Sequence, residues 1–223
     1  AMAGFTPDAI RGAIPGVLDM AAAGRMDLGG AADIASNIAG AFGILPEEMG
    51  RVADVLTYGF TTANTDLAKL GQTMKYVGPV ARRAGLDLET ATAMAGLLGN
   101  IGIQGDMAGT QTREMLNRLS GDATAIRTLA GLGIDPLDDS GNLRVIEVLG
   151  EVGQALDGLG GGEQLRLLQD IFGVRAGAGM AELVEREGIG ALTAYAEQFR
   201  DIEGTANRVA RVQMDNLRGD LTF

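Results

Sequence analysis

The chain has 223 residues, enough for one large domain or two small ones, and its 46% hydrophobic and 21% charged content argues against wholesale disorder. Cysteine and histidine are both absent, which removes disulfides, thiol nucleophiles, iron–sulfur clusters, ordinary zinc sites and triads that need an imidazole base. A formal charge of -11 sets the surface against nucleic-acid phosphate and anionic lipid. Aromatics are only 4%, without Trp, so burial must come from Ala, Leu, Ile, Val and ten Met.

The first residues, Ala1-Met2-Ala3-Gly4-Phe5, lack the basic segment that opens a secretion signal. Helical periodicity begins at Thr6-Pro7-Asp8, where a cap and a first-turn proline precede the first helix. Apolar stripes of 3.6-residue period follow at Leu28, Ala31, Ala35, Ile38 and Phe42, and at Met49, Val52, Ala53, Leu56 and Phe60. They recur at Leu67, Leu70, Met74, Val77 and Ala81, and at Val145, Val148, Leu149, Val152 and Leu156. Asn64-Thr65-Asp66, Asp87-Leu88-Glu89 and Ser120-Gly121-Asp122 mark further helix starts. Gly24, Gly43, Gly85, Gly102, Gly133 and Gly173 fall where stripes end and are expected to close helices in the left-handed conformation.

The pattern predicts an all-α, compact bundle of about ten to twelve short helices forming a single domain over residues 1–223. A helical pattern still running at Phe223 predicts that this is part of a longer chain. One segment departs from helix. Residues 133–144, with a tip near Ser140-Gly141, predict a small β-hairpin that Pro136 limits to edge pairing. The stretch 27–56 is echoed in 87–116 at an offset of 59 to 60 residues, as duplication or a chance likeness of Ala/Gly-rich helices would produce.

Candidate chemistry is thin. With Gly141 as the sixth residue of a calcium loop, Pro136 falls on the first ligand position and Glu147 on the last, so the first carboxylate is missing. Gly158-Leu159-Gly160-Gly161-Gly162 has the glycine of a phosphate loop without a following Lys-Ser/Thr pair, and reads as a helix joint. Glu47, Glu48, Glu89, Glu114, Glu182 and Glu185 could supply a carboxylate pair for glycoside hydrolysis. Glu47-Glu48 instead suits a helix N-terminus, and the others sit in solvent-facing registers. Ser36, Ser120 and Ser140 lie in no nucleophile turn. Arg208, Arg211 and Arg218, with Val209, Val212 and Leu217 on the apolar side, describe an ordinary amphipathic last helix. Met49, Met74 and Met94 fall on apolar faces and predict core. Thr90 to Gly105 is the longest uncharged run, too short and polar to span a membrane. No catalytic, cofactor-binding or metal-binding residue is predicted.

Specific strings carry more information than the chemistry. Leu18-Asp19-Met20-Ala21-Ala22-Ala23-Gly24, Ala31-Ala32-Asp33-Ile34, Ala53-Asp54-Val55-Leu56 and Asn64-Thr65 occur in order, followed by Met74-Lys75-Tyr76-Val77-Gly78-Pro79-Val80-Ala81 and Gly85-Leu86-Asp87-Leu88-Glu89-Thr90-Ala91. Then come Gly102-Ile103, Ala108-Gly109-Thr110, Gly141-Asn142-Leu143 and Ile171-Phe172-Gly173-Val174-Arg175-Ala176. From about residue 6 to 186 the chain thus resembles the core region of phage tail tape-measure proteins, departing from it where Asp135-Pro136 interrupts a stretch that usually reads as a cleaner strand.

The resemblance implies a non-enzymatic assembly protein in the virion tail of a tailed phage or prophage, put together in the bacterial host cytoplasm. Such proteins set tail length inside the tail tube and take part in DNA delivery. Implied partners are the phage tail tube protein, tail assembly chaperones and tail-tip proteins, with homo-oligomers in the tail, no sequence-specific nucleic acid, and membrane contact left open. The alternatives are a membrane-active module using Thr90 to Gly105 and a phage-associated cell-wall glycosidase using a Glu pair.

Overall fold

The computed structural model describes residues 7–184 and 188–220. Among them run twelve α-helices: α1 (Pro7–Ala23), α2 (Leu28–Phe42), α3 (Met49–Thr62), α4 (Leu67–Ala81), α5 (Leu88–Asn100), α6 (Gly105–Gly121), α7 (Ala123–Gly131), α8 (Val145–Leu156), α9 (Gly161–Phe172), α10 (Val174–Glu182), α11 (Gly188–Gln198) and α12 (Thr205–Asp220). A 3₁₀ turn, Pro46–Glu48, leads into α3.

Local chemistry fixes most boundaries. Four aspartates accept hydrogen bonds from first-turn amides: Asp27 from Gly30 at 2.9 Å, Asp66 from Lys69 at 2.8 Å, Asp87 from Thr90 at 2.8 Å, and Asp122 from Ala125 at 3.0 Å. Each such cap is worth about 1 kcal/mol. At the other ends Gly43, Gly85, Gly102 and Gly133 take φ between 69° and 87°. The amide after each reaches the carbonyl five residues back: Ile44 to Ala39, Leu86 to Ala81, Ile103 to Leu98 and Ile134 to Leu129. Gly24 breaks the expected pattern. The left-handed residue there is Arg25, at φ 50°, while Gly24 makes room for Leu67 of α4, whose Cδ2 lies 2.7 Å from where a methyl group would stand.

The apolar stripes meet in one core, with α5 at its centre; every residue from Ala91 to Gly99 is buried. Met49, Met74 and Met94 are core residues as expected. α3, α4 and α11 pack around α5, α12 lies against α1 and α3, and α9 and α10 pair beside α6. Glycines set several close crossings: a methyl group at Gly59 would stand 2.6 Å from Thr92, and one at Gly78 would stand 2.7 Å from the Ala41 Cβ.

The hairpin expected over residues 133–144 is not formed, and no strand exists among the described residues. A single antiparallel bridge joins Leu137 and Leu143, with Asp138 N–H donating to Asn142 O at 2.8 Å and Arg144 N–H to Pro136 O at 3.0 Å. Ladder growth is blocked chemically. Pro136 has no N–H, the Asp135 carboxylate takes the Leu137 amide, and the Asp138 carboxylate takes those of Ser140 and Asn142. The Leu143 amide instead donates to Ala84 O at 3.1 Å, tying the turn to the end of α4.

Candidate functional site

The N-terminal ends of α3, α5, α8 and α12 open on one cleft of about 1000 Å³, flanked by α11. Helix N-termini carry roughly half a positive charge each, and carboxylates are stabilised beside them. The sequence supplies Glu47 and Glu48 ahead of α3, Asp87 and Glu89 at α5, Glu147 at α8 and Glu203 before α12, all lining the cleft. Among the described residues only Arg51 and Arg200 bring positive charge to it, while Val55, Ile146, Phe199 and Ile202 form its apolar part.

Arg51 spans the cleft. Its Nε and Nη2 donate to the two carboxylate oxygens of Glu89 at 2.7 and 2.8 Å, and Nη1 donates to Glu48 Oε1 at 3.3 Å. The hydrogen bonds it donates to Glu89 hold the guanidinium above its ordinary pKa. This fork fastens α3 to α5. The Glu89 side chain is only 12% exposed and so is not solvent-facing, as its register suggested.

Asp54, in the middle of α3 and only 9% exposed, makes a second fastening. Its carboxylate accepts from the Gly204 amide at 2.8 Å and from the Ala206 amide at 2.8 Å, so α3 caps α12 across 150 residues of chain. Nothing in the stripe Ala53-Asp54-Val55-Leu56 announces this partner; the one signal is a carboxylate placed where periodicity demands burial. Behind it, Phe199 meets Tyr58 and Tyr195 edge-on, with centroids 4.8 and 5.2 Å apart. The Tyr195 hydroxyl lies 2.7 Å from that of Thr62, and burial pushes its pKa up.

The remaining sequence candidates disperse. Glu47, Glu48 and Glu89 share the cleft, whereas Glu114 lies in a separate depression with Arg113, Arg118 and Arg175. There Arg118 donates to Asp170 O at 2.7 Å and Ile171 O at 3.1 Å, closing α9, and Arg113 stands 5.5 Å over the Tyr76 ring. The Glu182 side chain and Glu185 fall outside the described residues. The Asp138 carboxylate is consumed by its own turn, whose amides, Asn142 first, hold its pKa below the ordinary value. Gly158 to Gly162 joins α8 to α9, with Gly160 at the start of α9 and Gln164 Nε2 donating back to Leu156 O. Along α12 the buried side is Ala206 and Ala210, and Val212, expected on the apolar side, is exposed. Leu217 and Arg218 lie among residues whose side chains are not described. No described helix is long and apolar enough to cross a membrane, and no described group of three or more acidic residues is placed to hold a metal ion.

These features define a helical scaffold in which ion pairs, caps and glycine crossings fix shape. The chain belongs to the phage-related minor tail protein family, whose profile matches residues 1–173. It is 32% identical over 219 residues to the tape measure protein of Pneumococcus phage Dp-1, covering 97% of this chain and 19% of that protein. It is 31% identical over 224 residues to the probable tape measure protein of Escherichia phage P2, covering 99% of this chain and 28% of that protein. The chain thus spans well under a third of either relative. No solved structure matches.

Proposed function

We propose that this chain is a folded, non-enzymatic segment of a tape-measure protein, contributing to the assembly and length of a phage tail and to DNA delivery. The observation that carries this is the similarity to two tape measure proteins along 97% and 99% of the chain. The structure supports a shape-forming role: in the cleft Glu48 and Glu89 are engaged with Arg51, and Asp54 with backbone amides at the start of α12. Within the uncharged run from Thr90 to Gly105, the stretch Ala91–Gly99 is buried in the centre of the bundle rather than turned outward, which disfavours a membrane-active module. On this reading the partners are the tail tube protein, tail assembly chaperones and tail-tip proteins. The protein assembles as a homo-oligomer in the host cytoplasm and resides in the virion tail.

The test is genetic and visual. The segment is duplicated in frame within the longer gene of a phage that carries it, and tails are measured by electron microscopy. Drawn out as continuous helix the added copy would lengthen each tail by roughly 330 Å. Kept compact, it adds far less, and the compact outcome is expected. Normal assembly and infection after complete deletion of the segment would overturn the proposal.

The echo between 27–56 and 87–116 belongs with this proposal as a duplicated helical unit. Its support is the repeated sequence of caps: Asp27 and Asp87 start the paired helices, and Gly43-Ile44 and Gly102-Ile103 end them.

A further inference from the structure

The depression beside α6 has a volume of about 370 Å³ and shares no lining residue with the cleft. Thr110, Arg113, Glu114 and Asn117 line it from positions i, i+3, i+4 and i+7, so they form one stripe on α6. Arg118 closes one side, and Arg175 reaches it from the first turn of α10. Val174, the residue before Arg175, is 75% exposed. Three arginines thus converge on one carboxylate, the reverse of a chain with 29 acidic and 18 basic residues.

Their bonds set the three apart. Arg118 is a fixed wall, spent on the last carbonyls of α9 and on Asp122, 3.1 Å from its Nη2. Arg113 and Arg175 are exposed and have no carboxylate partner among the described residues. Stacking over the Tyr76 ring steadies Arg113 without using its N–H donors. Glu114 forms no ion pair with any of the three and lies against Gly173, where a methyl group would stand 3.0 Å from its carboxyl carbon. Arg175 is also ill placed for its own helix, because the positive end of a helix disfavours a cation.

We infer that this depression is a docking site for an acidic segment of another protein chain, which sets a Glu or Asp carboxylate against Arg113 and Arg175 and an aliphatic side chain on Val174. Apart from Glu114 the lining offers donors: guanidinium forks, the Thr110 hydroxyl and the Asn117 amide. Such forks recognise carboxylate and phosphate alike. Two features favour a protein carboxylate. Exposed Val174 gives an apolar contact that a phosphate backbone does not use. A net charge of -11, with Glu114 inside the site, opposes a polyanion far more than a single carboxylate. The volume, at the low end for a ligand pocket, suits the tip of a turn or the start of a helix. The inference goes beyond the tail role and does not depend on it.

The probe is the peptide acetyl-Leu-Glu-Glu-Leu-Glu-amide, titrated into the isotope-labelled 223-residue chain and followed by NMR at the arginine Nε–H and backbone amide signals. Saturable shifts are expected at Arg113, Val174 and Arg175, and none from the same peptide with Gln for each Glu. Arg175→Glu should weaken binding about tenfold or more. It also puts an acid in the first turn of α10, so stability in urea should hold or rise while binding is lost. Arg113→Gln, a milder change, should weaken binding independently, and Val174→Ser should do so by removing the apolar contact. Circular dichroism checks that each variant is folded. Four results would each overturn the inference: no binding of the Glu peptide, equal binding of the Gln peptide, binding indifferent to both arginine substitutions, and tighter binding of oligothymidine at the same signals, which would assign the site to phosphate.

Discussion

At Asp54 a buried charge is stable because two amides supply what water would have given. Asp54→Ala leaves the Gly204 and Ala206 amides unpaired at a helix start, and should cost about 2 kcal/mol in urea unfolding. Asp54→Asn, which keeps one acceptor oxygen, should cost less. Glycines divide similarly by what surrounds them. Gly78→Ala would gain up to about 1 kcal/mol of helix preference. The new methyl group would meet the Ala41 Cβ, however, an atom fixed to the α2 backbone, and overpacking of this kind costs about 1–3 kcal/mol. A net loss is expected. Gly40→Ala, with nothing within 4 Å of the added methyl, should stabilise by up to about 1 kcal/mol in the same measurement.

Among the elements, the helices and their caps were legible because their causes lie within a few residues. Asp66, Asp87 and Asp122 each bond amides two or three positions on, and the stripes need only a period. Where two local signals compete, sequence misleads. The turn residues around Ser140-Gly141 suggested a hairpin over 133–144, but aspartate side chains captured the amides a ladder requires. Gly24 was expected to turn left-handed, yet its smallness serves an approach by Leu67, forty-three residues away, that no local pattern records. Local capping also carries a pH dependence. Asp122 caps α7, and hydrogen bonding from Ala125, aided by Arg118, holds its pKa below the ordinary 3.8. A depressed carboxylate contributes stability that is complete above the unfolded value and is lost as pH falls through the folded one. Protection of the Thr124 and Ala125 amides from hydrogen exchange should therefore fall as pH drops below about 4, the unfolded-state aspartate range. Asp122→Asn should show weaker protection at neutral pH with little further change.

Across the molecule, the cleft was illegible for a different reason: its carboxylates come from positions near 47, 87, 147 and 203, and only packing brings those helix starts together. The same packing bears on the proposed part in tail length. A helix rises about 1.5 Å per residue, so these residues as one rod would span roughly 330 Å. Left-handed glycines at 43, 85, 102 and 133 end helices where a rod would need to continue, and the Arg51–Glu89 fork and the Asp54 cap tie α3 to α5 and α12. Extension would have to break these ties together and expose α5, whose Ala91–Gly99 stretch is buried throughout. The isolated chain should accordingly scatter as a compact body, with a radius of gyration of about 17 Å. A value well above that in small-angle X-ray scattering would show that the resting state is drawn out. Asp54→Ala combined with Arg51→Ala should raise the radius only on approach to unfolding, since the core holds the bundle and the two ties fix the seating of α12 and α5 on it.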